Sequence, residues 1–170
     1  TIVRTHFMRN TVHLLPAEDL RWMLRLMAPR IRRLIDNVAR ANGIAVDEAT
    51  YAKSNEVIAA ELVGGRQRSR PELAVALERA GISADVGLLT MLTQRAQVDG
   101  VVCHGLRRGA HHGLVLVDEW LPPGRSLDRE EALAELALRY VRSHGPASVH
   151  DYAWWSGLTM ADARAGFEAA

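Results

Sequence analysis

Cysteine occurs once, at Cys103, and lysine once, at Lys53. One thiol per chain can build neither an internal disulfide framework nor a four-thiolate zinc site, so a reducing compartment is the expectation. Aromatics make up 5% of the 170 residues (four Trp, three Tyr, two Phe), too few for a sheet that stacks nucleobases. Arg or an acidic residue interrupts every candidate apolar run, and no basic-then-apolar leader opens the chain. The sequence therefore reads as neither membrane-spanning nor secreted, and as cytoplasmic. With 48% hydrophobic residues and a net charge of +1, it has the composition of one folded domain or two small ones, and not of a disordered chain.

What is present is arginine. Lys and Arg total 21, and with Lys53 the lone lysine, 20 are Arg. Residues 1–46 hold eight of them against Glu18, Asp19 and Asp36, so +5 sits in the first quarter of a chain whose total is +1. A basic segment of this kind suits an anionic partner without identifying one.

Residues 2–15 read as a hairpin of two β-branched and apolar runs around Arg9-Asn10. Helical spacing follows from about 17 to 27. Pro29 is expected to end that helix, with a second short one running to Gly43. Helices are expected from Asp47 to Gly64, from the capping box Ser69–Glu72 to Gly81, and from Asp85 onward. Strands at 101–104 and 114–118 flank a glycine-rich loop, giving the order helix, helix, helix, hairpin. Further boxes at Asp128–Glu131, Ser148–Asp151 and Thr159–Asp162 start three more helices, the last two separated by Ser156-Gly157-Leu158 in the manner of a helix-turn-helix. The fold class expected is mainly α with small β-hairpins, as tandem winged-helix units. Residues 1–46 would be the end of a first unit, 47–127 a complete central unit, and 128–170 the start of a third. Both ends look cut, so the chain reads as a fragment.

Three stretches carry a resemblance: Val3-Arg4-Thr5 with Met8 to Leu20; Asp118-Glu119-Trp120-Leu121-Pro122; and His144-Gly145-Pro146-Ala147 with Asp151 to Leu158. In these the chain resembles the bacterial winged-helix DNA-binding proteins grouped with the AlkZ-like DNA glycosylases. The resemblance implies tandem winged helices, a concave DNA-facing surface and a role in repair of alkylated or cross-linked DNA. Two departures stand out. Asn10 replaces the family's usual Gly, a tolerable change because Asn also visits positive φ. The family's catalytic Gln-apolar-Gln or Gln-apolar-Asp motif lies ahead of the first hairpin, whereas Gln97-Val98-Asp99 matches its letters far downstream and reads as coincidence. No catalytic residue and no cofactor is assigned.

For binding double-stranded DNA the candidates are Arg4, Arg9 and His13 on the first hairpin, Arg107 and Arg108 on the glycine-flanked loop, Ser156 at the turn and Thr159 at the next helix start. Arg30, Arg32 and Arg33, and Arg66, Arg68 and Arg70, form two further basic clusters. Cys103, His104, His111 and His112 have ligand chemistry, but neighbours on a strand point to opposite faces, so no metal is assigned. Trp154 and Trp155 are expected in the core, as is Trp120 at the strand end. An isolated hairpin exposing Ile2, Phe7, Met8 and Leu14 would be marginal in water, which suggests self-association through it. A non-catalytic DNA-binding regulator and a winged-helix protein-interaction module are the competing readings.

Overall fold

The structure is a computed structural model. It describes residues 1–109 and 111–170; Ala110 and the side chain of Arg108, both within the expected loop, lie outside the described residues. In chain order the elements are β1 (Ile2–Phe7), β2 (Thr11–Pro16), α1 (Leu20–Ala41), α2 (Glu48–Leu62), α3 (Arg70–Arg79), α4 (Val86–Val98), β3 (Val102–Arg108), β4 (His111–Leu116), α5 (Val117–Trp120), α6 (Arg129–His144), α7 (Val149–Ser156) and α8 (Met160–Ala169). The chain is mainly helical, with one four-stranded antiparallel sheet ordered β2-β1-β3-β4. Among the described residues no helix is long and apolar enough to cross a membrane.

Local chemistry starts the helices where the sequence says it should. Ser69, Asp128 and Ser148 each close a reciprocal capping box with the residue three positions on, and the Asp47, Asp85 and Thr159 side chains accept from first-turn amides. Pro29 does not end α1, which corrects the two-helix expectation. Leu20, Met27, Ile31, Ile35 and Ala39 form one buried stripe running through it. Burying that stripe outweighs the cost of about 3 kcal/mol for a proline inside a helix.

The first hairpin is not isolated either. Arg4 of β1 pairs with His104 of β3, so the N-terminal and central hairpins share one sheet. Phe7 and Met8 are buried against α1, leaving only Ile2 (64% exposed) and Leu14 (70%) of the expected apolar patch.

The central hairpin is longer than expected. Arg107 and Arg108 are β3 residues paired with His112 and His111 beyond a bulge, rather than loop residues, and Val117–Trp120 turns helical instead of extending β4. The Gln67 side chain lies across the hairpin and mimics a strand, its Oε1 accepting from Leu106 N (3.0 Å) and its Nε2 donating to Leu106 O (2.6 Å). A Cβ on Gly105 or Gly113 would stand 2.7 or 2.4 Å from Gln67, so these glycines make room for the clamp. Arg68 and Leu114 exchange both backbone hydrogen bonds beside it.

Two buried ion-pair networks hold the layers together. Asp19, ahead of α1, accepts from Trp22 and Arg139, and so locks α6 onto α1. Arg95 of α4 joins Asp99 to Glu48 of α2 over the Tyr51 ring. The Asp118 to Pro122 stretch is a third clamp: Arg21 bonds Asp118 (2.9 Å) and the Pro122 carbonyl (2.9 Å), and Glu119 accepts from the amides of Gly64 and Gly65.

Candidate nucleic-acid interface

Alternation along β1 sends Val3, Thr5 and Phe7 into the core and places Arg4 and His6 on the other face. Register puts Arg4 opposite both Leu14 and His104. Three imidazoles cross this face, with ring centroids 6.3 Å apart for His6 and His104 and 5.8 Å for His104 and His112. His6 is wired to α4. Gln97 Oε1 lies 3.2 Å from both the His6 amide and its Nδ1, which therefore carries the proton, while Nε2 is the acceptor for Gln94 Nε2 at 3.4 Å. Asn10 Nδ2 donates to Gln94 Oε1 (3.2 Å), completing a chain from the hairpin tip to α4.

Burial, followed by the charge of Arg4, lowers His104 to about 4 despite its hydrogen bond to the Arg4 carbonyl. His6 is lowered by burial and by the charges of Arg70 and Arg4, against the Gln97 hydrogen bond. Both rings are neutral at pH 7. An unfolded His104 binds its proton near the ordinary histidine value of 6.5, and the native one only near 4. The unfolded state holds more protons between those values, so stability falls as pH drops from 6.5 to 4, by about 2–3 kcal/mol at 1.36 kcal/mol per pKa unit. Urea unfolding at pH 7 and pH 4.5 checks this. His104→Asn should flatten the dependence, and equal pH slopes for variant and wild type would refute it.

The candidate residues meet different fates. Arg9 and Asn10 both have positive φ (54° and 55°), as expected for a tight tip, and Arg9 is exposed with its guanidinium 5.4 Å from the centroid of Trp154. The α7–α8 turn comes up beneath it: Gly157, at φ 74°, is close enough that a Cβ there would meet Arg9 Cγ at 3.2 Å. The structure thus brings the hairpin tip and the helix-turn-helix-like turn together. His13 faces the Met8 carbonyl through Nε2 (3.2 Å) and stands edge-on to Phe7, and burial and the Arg9 charge lower its pKa against that bond. Arg107 is exposed and among the described residues bonds only the Gly109 carbonyl (2.8 Å). Ser156 is enclosed, its Oγ donating to Tyr152 O (2.7 Å) and accepting from Leu158 N, so it is a turn residue here and out of reach of a phosphate. Thr159 is exposed, but Asp162 occupies its helix start, accepting from Thr159 Oγ1 (2.9 Å) and from Arg129 (2.7 Å).

Of the further clusters, Arg32 is paired with Asp99 and Arg68 faces Glu61, while Arg66 caps the end of α2 by donating to Ala60 and Val63 carbonyls. Gln97 and Asp99 serve separate networks: Gln97 turns to His6, and Asp99 to Arg32, Asn55 and Arg95. Trp155 packs with Tyr140, Tyr152 and His144, but Trp154 is 76% exposed, which corrects its expected place in the core. Trp120 is 40% exposed on α5. Consecutive side chains on a helix point about 100° apart, and α7 turns Trp155 inward and Trp154 out. Cys103 is buried, with burial pushing its thiol up to about 12, and lies on the sheet face opposite His104; among the described residues no three His, Cys, Asp or Glu side chains gather as metal ligands.

No curated protein matches the chain. Among solved structures, Streptomyces sahachiroi DNA glycosylase AlkZ is similar, with a TM-score of 0.76 and 24% identity over 98% of this chain. The chain spans 47% of that structure, about half its length, and at this identity the likeness speaks for the fold. The model of the DNA glycosylase AlkZ-like family matches residues 1–170, from end to end, and the chain therefore belongs to the AlkZ-like DNA glycosylase family.

Proposed function

We propose that this chain is the DNA-engaging part of a glycosylase-like repair protein acting on alkylated or cross-linked duplex DNA. In this reading it is organised as winged helices, with 47–127 a complete unit whose wing is β3–β4, 1–46 the end of one unit and 128–170 the start of another. The observation that supports it best is the set of cations left outside ion pairs on the two hairpins: Arg4, Arg9 and Arg107 have no carboxylate partner among the described residues. Of the eight arginines in residues 1–46, Arg21 and Arg32 are neutralised by Asp118 and Asp99 of a later segment. The sequence tally of +5 therefore overstates the free charge there, while the unpaired Arg9 and Arg107 stand at hairpin ends, where they reach a phosphate backbone without steric obstruction.

The test is a salt titration of binding to two unrelated duplexes. Replacing Arg107 and Arg108 together by Ala should weaken both about equally. It should also flatten the slope of log affinity against log salt by about 1.8, roughly 0.9 per phosphate contact. Simple destabilisation would lower the active fraction and leave the slope alone. Unchanged affinity and slope would remove this hairpin from the interface. Base release from an alkylated duplex is not expected of this chain, since Gln97 and Asp99 are absorbed by the fold. Release above a no-protein control would place chemistry within it.

A further inference from the structure

Three clefts adjoin along α1. The largest, of about 450 Å³, lies between α1 and the end of α4 and is floored by Leu24, Ala28, Val98 and Val117. A second, of about 370 Å³, continues past Arg21 to the 121–126 segment, and a third, of about 150 Å³, opens between Trp22 and Leu127. Arg25 lines all three. Residues four and eleven positions after Arg21 fall on its face of the helix, so Arg21, Arg25 and Arg32 together edge the largest cleft. The 121–126 wall is tied down. Arg125 N donates to Glu18 O (2.8 Å), a Cβ on Gly124 would stand 2.6 Å from that carbonyl, and Arg21 holds the Pro122 carbonyl (2.9 Å). A site with fixed walls loses less to ordering when it binds.

The charge of these clefts is one-sided. Five arginines line them against three aspartates, and each aspartate is already engaged: Asp99 by Arg32, Arg95 and Asn55, Asp118 by Arg21, and Asp128 by the first turn of α6. Arg25 is exposed and has no carboxylate partner among the described residues; its one hydrogen bond there goes to Ser126 Oγ at 3.4 Å. A cation so placed beside a recessed apolar floor matches a partner that carries both carboxylates and apolar groups. Arg21 to Arg32 spans about 16 Å of helix, the reach of roughly five residues of extended chain. Alternate residues of such a chain point to opposite sides, so carboxylates and apolar side chains in turn would meet the arginine rim and the floor. A duplex would meet the rim and leave the floor empty. We propose that this groove along α1 docks an extended acidic peptide segment in which carboxylate and apolar side chains alternate, with Arg25 as its central anchor. The proposal stands apart from the duplex-binding reading and does not depend on it.

The test uses labelled peptide probes of that length, read by fluorescence anisotropy: Glu-Leu-Glu-Leu-Glu, a counterpart with Gln for Glu, a counterpart with Ser for Leu, and Lys-Leu-Lys-Leu-Lys. Wild type should bind the first roughly tenfold more tightly than either counterpart. Arg25→Ala should lose about that factor with its Tm unchanged, because the truncated side chain is exposed. Arg30→Ala, also exposed and about 140° round α1 from Arg25, should lose nothing. Arg25→Glu should bind the Lys probe more tightly than wild type does, a reversal that a merely structural arginine would not produce. Equal affinity of wild type for the Leu and Ser forms of the acidic probe, or equal losses in Arg25→Ala and Arg30→Ala, would mean diffuse attraction to a basic surface and would overturn the groove. Nucleic acid is separated by a duplex titration of the same proteins. If Arg25→Ala weakens an unrelated duplex as much as it weakens the acidic probe, and the duplex displaces that probe, the groove belongs to the nucleic-acid interface and the peptide proposal falls. Loss of the probe in Arg25→Ala with duplex affinity unaltered, or with no duplex affinity in wild type, would uphold the peptide site.

Discussion

Asp19→Ala is expected to destabilise the protein by about 3 kcal/mol and to loosen α6 to α8 from the rest. The Asp19 carboxylate is 1% exposed. Its Oδ1 accepts from the indole of the fully buried Trp22 (2.8 Å) and from Arg139 (3.1 Å), and its Oδ2 from Arg139 (2.6 Å), with Arg125 3.6 Å away. Truncation leaves an orphaned indole N–H and two guanidiniums sharing only Glu135, and loss of one partner of a buried pair costs about 3–5 kcal/mol. Because Arg139 and Arg125 are 34% and 41% exposed, the low end of that range applies. Burial alone would raise the Asp19 pKa, but the hydrogen bonds from Arg139 and Trp22 and the arginine charges outweigh it and hold it below the ordinary carboxylate value. For a lowered carboxylate the stabilisation is present above the unfolded pKa and is lost as pH falls through the folded one. Urea midpoints of wild type and variant should differ at pH 7 and converge toward pH 3. Asp19→Asn, which keeps an acceptor for Trp22, should fall between them. A variant within about 0.5 kcal/mol of wild type at pH 7 would show that the network is not what joins α1 to α6.

Arg95→Ala is expected to cost about 3–5 kcal/mol. This side chain is 4% exposed, donates through Nε to both oxygens of Asp99 (3.0 and 3.1 Å) and through Nη1 to Glu48 (3.1 Å), and lies 4.5 Å over Tyr51. Without it, Asp99 keeps Arg32 (2.7 Å) and Asn55 of α2 (2.8 Å), but the space under Tyr51 empties and Glu48 loses its link to α4. Arg95→Met, which fills that space without the charge, should recover part of the loss, because a buried pair replaced by apolar volume is often close to neutral. The consequence for function is a separation of effects. Asp99→Asn should lower the unfolding midpoint and leave duplex affinity unchanged wherever the variant is folded. A change in affinity with no change in stability would place Asp99 among the residues that face the ligand.

Helix starts were legible in the sequence because caps are local: the Ser69, Asp128 and Ser148 boxes need only the residue three positions on, and all three formed. The positive φ at Asn10 and at Gly157 was legible for the same reason. The Pro29 break was misread, since proline opposes a helix locally while the buried stripe from Leu20 to Ala39 is a property of everything packed against α1. The glycines of 105–113 suggested a loose loop because a sequence does not say what approaches a glycine. Here it is the side chain of Gln67, nearly forty positions upstream.

The candidate interface divides along the same line. Residue type and position sufficed to place Arg9 and Arg107 at hairpin ends. Tertiary structure alone decided that Ser156 is enclosed, that Trp154 rather than Trp155 faces solvent, and that Arg32 is paired while Arg70 is not. It alone put Arg4 beside His104, a hundred residues away. Caps and turns are settled by energies between neighbours a few residues apart, which the sequence carries directly. Whether a guanidinium is free or neutralised depends on which distant carboxylate the fold delivers to it, and that is determined only when the whole core packs.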